Sequence, residues 1–236
     1  MQLQLMDDAY WRTRREEMSR EFPGARLGVL TDLTAEVVDA FEDALLAGPE
    51  SAIQQVLTNH PYLIQYAIPL SGHHGIWAFP QQMIRPRAAD GDAGMIPDFL
   101  VVSRSSLGDY WHVVELKRFD EQFSDAKGQG YSKAGHRAVS QCNGYLALFR
   151  DYIDAVRTNI RIPSMVQPSG AIIVIGDSGR ETDRQRTNRS NFVRSSPNID
   201  VVSYRRILLG ARADVGFTPR GAGLLTTAGR GGKVSM

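Results

Sequence analysis

Two acidic residues and one lysine stand within or beside apolar stretches of the sequence. Asp98 opens one apolar run, and Glu115 and Lys117 close another at residues 110–117. Side chains alternate across a strand, so Glu115 and Lys117 share one face. The second run is apolar on both faces, which predicts a covered strand. Charged groups there are strongly unfavourable unless they are paired or bound to an ion.

The same residues could form a metal site if the two runs pair as neighbouring strands. Asp98 would then lie beside Glu115, and a divalent cation would relieve the repulsion between the two carboxylates. The carbonyl of Leu116 and waters would complete an oxygen site for Mg²⁺ or Mn²⁺. Lys117 would hold the scissile phosphate or help to deprotonate the attacking water. The pattern indicates metal-dependent phosphodiester hydrolysis; its ordinary alternative is a surface ion pair of little energetic value.

A helix that follows these runs adds two polar candidates. Gln141 and Tyr145 are four residues apart, so they share a helix face and could address the same substrate. The alternative is a solvated glutamine and a tyrosine that packs in the core.

Arginines are concentrated between residues 180 and 194. Several would share one helix face, which suits contacts with nucleic-acid phosphates, and the alternative is a solvated helix surface. The residues predicted to contact nucleic acid are Tyr145, Arg180, Arg184, Arg186 and Arg189.

The segment 176–179 contains Ser178 in a turn that resembles a hydrolase motif. A nucleophilic serine needs a histidine base. All five histidines lie upstream, the last being His136, which excludes the order of GDS-type esterases. The trypsin-like order is compatible with that count, but that fold is all-β and secreted, which conflicts with the helices and the single cysteine here.

The periodicity along the chain predicts an α/β fold, with a mixed β-sheet flanked by helices. Residues 1–49 are expected to form an N-terminal helical extension and residues 50–209 the α/β domain that carries the candidate residues. Residues 210–236 are expected to form a Gly-rich flexible tail. The predicted strands are 75–79, 96–103, 110–117, 171–175 and 199–203, and the helices include 50–59, 136–157 and a short one at 204–209.

The composition excludes several classes of protein. A net charge of +1 means that a nucleic-acid surface must come from local clustering. A single cysteine, Cys142, excludes an intrachain disulfide, and no Cys/His spacing of a zinc site occurs. The N-terminus has no signal-peptide pattern, and no apolar run approaches the roughly 20 residues that span a bilayer. We expect a cytoplasmic protein without a membrane partner.

The candidate residues also carry a family resemblance. Pro97-Asp98 with Glu115-Leu116-Lys117 resembles the PD-(D/E)xK nuclease signature, and Gln141 with Tyr145 resembles its Gln-x-x-x-Tyr motif. A more specific resemblance is to the Shedu antiphage-defence family, over roughly residues 50–209. Its marks lie at 57–64, 96–100, 113–117, the helix of Gln141, 172–176, the arginine-rich helix and 201–208.

The resemblance implies a fold, an activity and partners. The fold would be a PD-(D/E)xK restriction-endonuclease-like core. The activity would be that of a Mg²⁺- or Mn²⁺-dependent DNA endonuclease in antiphage defence, working as a homo-oligomer (dimer or tetramer). Many relatives carry a large N-terminal domain, whereas residues 1–49 precede the matching region here.

The resemblance also implies roles for individual residues. Asp98 and Glu115 would be metal ligands together with the Leu116 carbonyl. Lys117 would be the catalytic lysine, and Gln141 a supporting catalytic residue. This fold often adds an acidic residue from its first core helix. The nearest candidate is Glu50, which is equally a favourable residue for a first helical turn.

Two alternatives compete with the DNA endonuclease. One is a catalytically silent nucleic-acid-binding module that keeps a nuclease-like fold, although an intact Asp98, Glu115 and Lys117 set argues against it. The other is RNA as the substrate, which the sequence does not exclude.

Overall fold

The computed structural model describes residues 8–69, 74–85 and 94–217. Its centre is a six-stranded sheet in which the spatial order of the strands follows the chain. The first four strands are antiparallel and the last three parallel, so the sheet is mixed. The strands are β1 Arg26–Gly28, β2 Ile76–Pro80, β3 Phe99–Ser105, β4 Gly108–Leu116, β5 Gly170–Val174 and β6 Ile199–Val202.

In the described part of the chain, six α-helices flank this sheet. Side chains at their first turns define where several of them begin. The Ser132 hydroxyl caps α4 by accepting from the Gly135 N–H, and Thr182 forms a capping box with Gln185 at α5. The helices are α1 Asp8–Glu21, α2 Ala35–Ala47, α3 Glu50–Asn59, α4 Lys133–Ile160, α5 Asp183–Ser195 and α6 Tyr204–Phe217, with 3₁₀ turns at Leu30–Asp32 and Pro61–Ala67.

Both faces of the sheet are covered, which gives three layers. Trp111 and Val113 of β4 point to the side of α4, where Tyr145 is buried. Val114 and Leu116 of the same strand point to the opposite side, which α2, α3 and α6 cover. This arrangement confirms the predicted α/β fold with a mixed sheet, and it explains why β4 is apolar on both faces. None of the described helices combines the length and the apolar character needed to cross a bilayer.

The N-terminal segment differs from the predicted helical extension. Residues Arg26–Gly28 form an edge strand whose Leu27 pairs with Trp77 of β2. Phe41 of α2 is fully buried in the core on the α6 side of the sheet. The described residues 8–49 therefore contribute to the same core as the rest of the described chain. A three-residue strand is too short to show an alternating pattern, so hydrophobic periodicity does not predict it.

The last helix is longer than predicted. It continues through Gly210 to Phe217, so the expected tail cannot begin at residue 210. Glycine disfavours a helix interior by about 1 kcal/mol relative to alanine, which suggested an end there. Gly210 instead packs against the ring of Tyr66, where a Cβ would lie 2.6 Å from a ring carbon. The Tyr66 hydroxyl also donates to Asp214 at 2.7 Å, one turn later. Residues 218–236 lie outside the described part of the chain.

Candidate active site

The pairing of β3 with β4 brings the two predicted carboxylates together. Phe99 is opposite Val114 in the antiparallel register, so Asp98 and Glu115 are the next opposed positions. The Leu116 N–H donates to Oδ2 of Asp98 at 2.7 Å and extends the ladder past the end of β3. The position of Asp98 is thus fixed by the backbone of the strand that carries Glu115.

Lys117 is buried at the end of β4. Its Nζ lies 2.6 Å from Oε1 of Glu115 and 2.8 Å from the Leu116 carbonyl oxygen. Lys117 and Glu115 are only 7% and 3% exposed, so the pair is enclosed by protein. The Lys117 N–H donates to the Val174 carbonyl at 2.9 Å, which joins the site to β5. Breaking such a pair would leave an uncompensated buried charge.

Tyr145 lies beneath the same carboxylate. Its hydroxyl is 2.9 Å from Oε2 of Glu115 and 3.1 Å from the Ile96 carbonyl oxygen. The side chain is 1% exposed, so the predicted direct contact with nucleic acid is corrected. Tyr145 instead orients Glu115 from within the core. Its helix position predicted the face on which it lies but not the carboxylate it meets.

Gln141 precedes Tyr145 by one turn of α4 and presents an unsatisfied acceptor. Its Oε1 atom is buried and has no hydrogen-bond partner among the described residues. A buried polar atom without a partner is costly, and a bound ion or its water would supply one. This is the observation on which Gln141 remains a candidate supporting residue.

Glu50, in the first turn of α3, belongs to the same electrostatic environment. Burial raises its pKa, and the charges of Lys117 and Glu115 act on it in opposite directions. Burial, followed by the charge of Glu115, raises the pKa of Asp98 to about 7, and Glu50 adds to that increase. Three carboxylates and one buried ammonium leave an excess of negative charge at this site.

The donor set fits a hard divalent cation. The carboxylates of Asp98 and Glu115 and the Leu116 carbonyl are oxygen donors, the type that Mg²⁺ and Mn²⁺ take, and Oε1 of Gln141 could accept from a water bound to such an ion. Within the described residues no group of three or more His, Cys, Asp or Glu side chains is arranged to hold a metal. A metal site here would therefore need the backbone carbonyl and waters besides its two carboxylates.

The region that carries these residues matches a known family. The family model described as Shedu protein SduA, C-terminal, matches residues 47–208, which is more than half of the chain. The chain belongs to the Shedu family. That family is associated with antiphage defence and nuclease-like function. No curated protein matches the chain.

The Shedu match includes every candidate residue and leaves out part of the fold. It begins at the last residue of α2 and therefore omits α1, β1 and nearly all of α2. The omitted segment still supplies core residues, among them Met18 and Phe41. In this Shedu protein residues 8–46 complete the sheet edge and contribute to the packing on both faces of the sheet.

The arginines of the Shedu-matched region fall into two groups. Arg184 and Arg186 are exposed on α5, and the side chain of Arg180 is 56% exposed just before it. Arg189 instead forms a bidentate pair with the buried Glu181, at 2.8 Å for both contacts. The guanidinium of Arg189 is therefore bound to Glu181 and its side chain is only 19% exposed, so Arg189 offers less surface to nucleic acid than Arg184 or Arg186.

Tyr204 is a Shedu-matched residue that sequence reasoning did not assign to the site. Its hydroxyl donates to the Lys117 carbonyl oxygen at 2.6 Å, and its side chain is fully buried. It therefore fixes the backbone that presents the Lys117 side chain. Its position just after β6 was the available signal, because parallel strands bring their carboxyl ends to one edge of a sheet.

Proposed function

We propose that this chain is a Mg²⁺-dependent DNA endonuclease that acts in antiphage defence. The observation that carries the proposal is the buried contact of 2.6 Å between Lys117 and Glu115 beside Asp98. A structural ion pair gains little from such burial, because desolvation offsets the attraction. A metal-dependent phosphodiesterase site needs both a set of metal ligands and a positively charged side chain beside it. Membership of the Shedu family supports the same activity.

Asp98, Glu115 and the Leu116 carbonyl would hold the metal, with Gln141 accepting from a metal-bound water. Bound there, Mg²⁺ or Mn²⁺ would polarise the phosphate and lower the pKa of a water molecule. Tyr145 keeps one oxygen of Glu115 in place through its hydroxyl, and the Leu116 N–H does the same for Asp98. Both carboxylates are therefore oriented by the protein before any substrate binds.

Lys117 would hold the scissile phosphate. An ammonium group has three N–H donors, and two of them are directed at Glu115 and the Leu116 carbonyl. The third can donate to a non-bridging phosphate oxygen. Because both existing contacts are acceptors, the group acts as a cation that stabilises developing negative charge rather than as a base.

DNA would approach from the side of α5. Arg184 and Arg186 are exposed there, and Gly128 of the loop after β4 packs closely against Arg184. This contact holds the loop that follows β4 against the first turn of α5. A cytoplasmic location and a homo-oligomer (dimer or tetramer) belong to the same proposal, and the homo-oligomer rests on the Shedu likeness.

The decisive experiment compares cleavage of supercoiled and linear DNA by the wild type and by Lys117→Ala. Each protein is incubated with Mg²⁺, with Mn²⁺ and with EDTA, and an RNA of matched sequence is tested in parallel. Lys133→Ala is the control, because Lys133 is an exposed lysine at the start of α4. We expect metal-dependent cutting by the wild type and the control, and none by Lys117→Ala.

Three other outcomes would contradict all or part of the proposal. Cutting that persists in Lys117→Ala would place the activity at another site or in a contaminant. DNA binding without cutting by the wild type, in any metal, would favour the catalytically silent binding module. Cutting of RNA in preference to DNA would correct the substrate while keeping the site.

A further inference from the structure

Two arginines meet on one buried carboxylate beside the candidate active site. Asp177 follows β5 and is 5% exposed. Arg205, in the first turn of α6, approaches it with Nε at 2.6 Å and a terminal nitrogen at 3.1 Å. Arg180 places its Nε 3.7 Å from the same carboxylate. A single buried anion therefore organises two guanidinium groups.

This arginine pair is tied to Lys117 through the backbone. The Tyr204 hydroxyl donates to the Lys117 carbonyl, and the Tyr204 N–H donates to the Gly176 carbonyl at 3.1 Å. The Gly176 N–H in turn donates to the carbonyl of Arg118 at 3.3 Å. The ends of β4, β5 and β6 thus form one connected edge, with Lys117 and the arginine pair as neighbours on it.

Both guanidinium groups face outward although their carboxylate is buried. The side chains of Arg180 and Arg205 are 56% and 48% exposed, whereas that of Asp177 is 7% exposed. One negative charge between two positive charges leaves a net positive edge. Arg205 also uses only part of its five N–H donors on Asp177, so others remain for a second anion.

The surroundings hold the two groups in place. Arg180 lies over the ring of Phe119, with its guanidinium carbon 5.2 Å from the ring centroid. A Cβ on Gly179 would lie 2.4 Å from the Arg205 guanidinium, so glycine allows that group to lie against the backbone. Groups that are ordered before binding lose less entropy when a ligand arrives.

A purely structural ion pair does not explain this arrangement. One guanidinium suffices to neutralise Asp177, and Arg205 already does so with two contacts. The hydrogen bond from Arg205 lowers the pKa of Asp177, so the carboxylate is charged at neutral pH. Arg180, at a longer distance, is surplus to that neutralisation. Its exposed position suits an external anion.

We propose that Arg180 and Arg205, organised by Asp177, bind a backbone phosphate that flanks the scissile phosphate at Lys117. The planar fork of arginine matches the oxygens of a phosphodiester. Contacts of this kind set the register of a strand without reading its sequence. The inference rests on the proposed nuclease function and assigns part of its substrate-binding surface.

The test is DNA binding by Arg180→Ala, measured by fluorescence anisotropy with a labelled duplex oligonucleotide in Ca²⁺ at several NaCl concentrations. The matched control is Arg206→Ala, because Arg206 is exposed on the same turn of α6 as Arg205 but does not contact Asp177 among its described interactions. We expect Arg180→Ala to weaken binding about tenfold, and to reduce the salt dependence by about one phosphate contact. The control should bind as the wild type does.

A second variant guards against misfolding. Arg205→Ala would remove both hydrogen bonds that Arg205 makes to the buried Asp177 carboxylate. Arg205→Lys is used instead, because it keeps the positive charge and removes only the planar guanidinium. We expect weaker binding with an unfolding midpoint close to that of the wild type. If both variants match Arg206→Ala in affinity and salt dependence, while the wild type binds and cuts DNA, the inference alone is overturned. A wild type that does not bind DNA would overturn the proposed function together with this inference.

Discussion

The Tyr145 hydroxyl lies 2.9 Å from Oε2 of Glu115, inside the protein and on the side of the carboxylate opposite Lys117. Glu115 is therefore held at both oxygens, by a cation at Oε1 and by a neutral donor at Oε2. This double restraint leaves the carboxylate few orientations. Tyr145 of α4 thus positions one oxygen of Glu115, and Lys117, which directly follows β4, positions the other.

Tyr145→Phe should impair catalysis by releasing one oxygen of Glu115. We expect a single-turnover cleavage rate about tenfold lower, equivalent to about 1.4 kcal/mol of transition-state stabilisation. The free energy of unfolding should fall by about 1.5–3 kcal/mol, because a buried carboxylate loses a donor. Tyr152→Phe is the control on the same helix, since Tyr152 is 43% exposed. Equal rates for the two variants would refute the role given to Tyr145.

Metal affinity should increase with pH through about 7. Burial, and then the charge of Glu115, raises the pKa of Asp98 to about 7, and only its deprotonated form is a good ligand. Titration with Mn²⁺ by calorimetry at pH 6, 7 and 8 should show the rise, and Asp98→Asn should bind weakly at all three. A Mn²⁺ affinity that does not change between pH 6 and pH 8 would contradict the raised pKa of Asp98.

Without metal, the raised pKa of Asp98 should make the folded protein less stable as the pH rises. The folded pKa of Asp98 lies above its ordinary value of 3.8, so the folded state holds the proton more tightly than the unfolded state. Its contribution is fully present below about pH 4 and is lost as the pH rises through about 7. Urea unfolding in EDTA should show this loss in the wild type. The Asp98→Asn variant should not show this pH-dependent loss of stability.

Glu50→Gln should weaken metal binding without affecting the fold. Glu50 is half-buried, and its charge adds to the negative potential at Asp98. Its neutral replacement should lower Mn²⁺ affinity about fivefold, the effect of roughly 1 kcal/mol of lost attraction. Glu36→Gln is the matched control, because Glu36 also stands in the first turn of a helix, α2, and is exposed. Similar affinities for both variants would remove Glu50 from the site.

Arg189→Ala should destabilise the protein, unlike Arg186→Ala. Arg189 compensates Glu181, which is 8% exposed, and removing one partner of a buried pair costs about 3 kcal/mol or more. Arg186 is exposed, so its loss should reduce DNA affinity and leave the free energy of unfolding nearly unchanged. Urea unfolding and anisotropy on both variants check this division. An Arg189→Ala variant that keeps its stability but binds DNA more weakly would support a direct contact between Arg189 and nucleic acid instead.

How far the sequence could predict this structure depended on the range of each interaction. Glu115 and Lys117 were assigned to one face because alternation along a strand is a local rule. The contact between Tyr145 and Glu115 joins residues 30 positions apart, and no spacing rule determines which residues meet across a helix and a sheet. The same holds for Tyr204 and Lys117, and for Arg189, whose partner Glu181 lies outside its helix.

The order of the six strands bears on how the site comes into being. Each strand joins the edge left by the one synthesised before it. The partners that enclose Lys117, namely Val174 and Tyr204, leave the ribosome after it. When β4 has just left the ribosome, β5 has not yet been synthesised. Glu115 and Lys117 then lie at an unpaired edge of the sheet. The contacts that enclose Lys117 are therefore complete only after Tyr204 has been synthesised, so a chain that ends before that residue lacks the finished site.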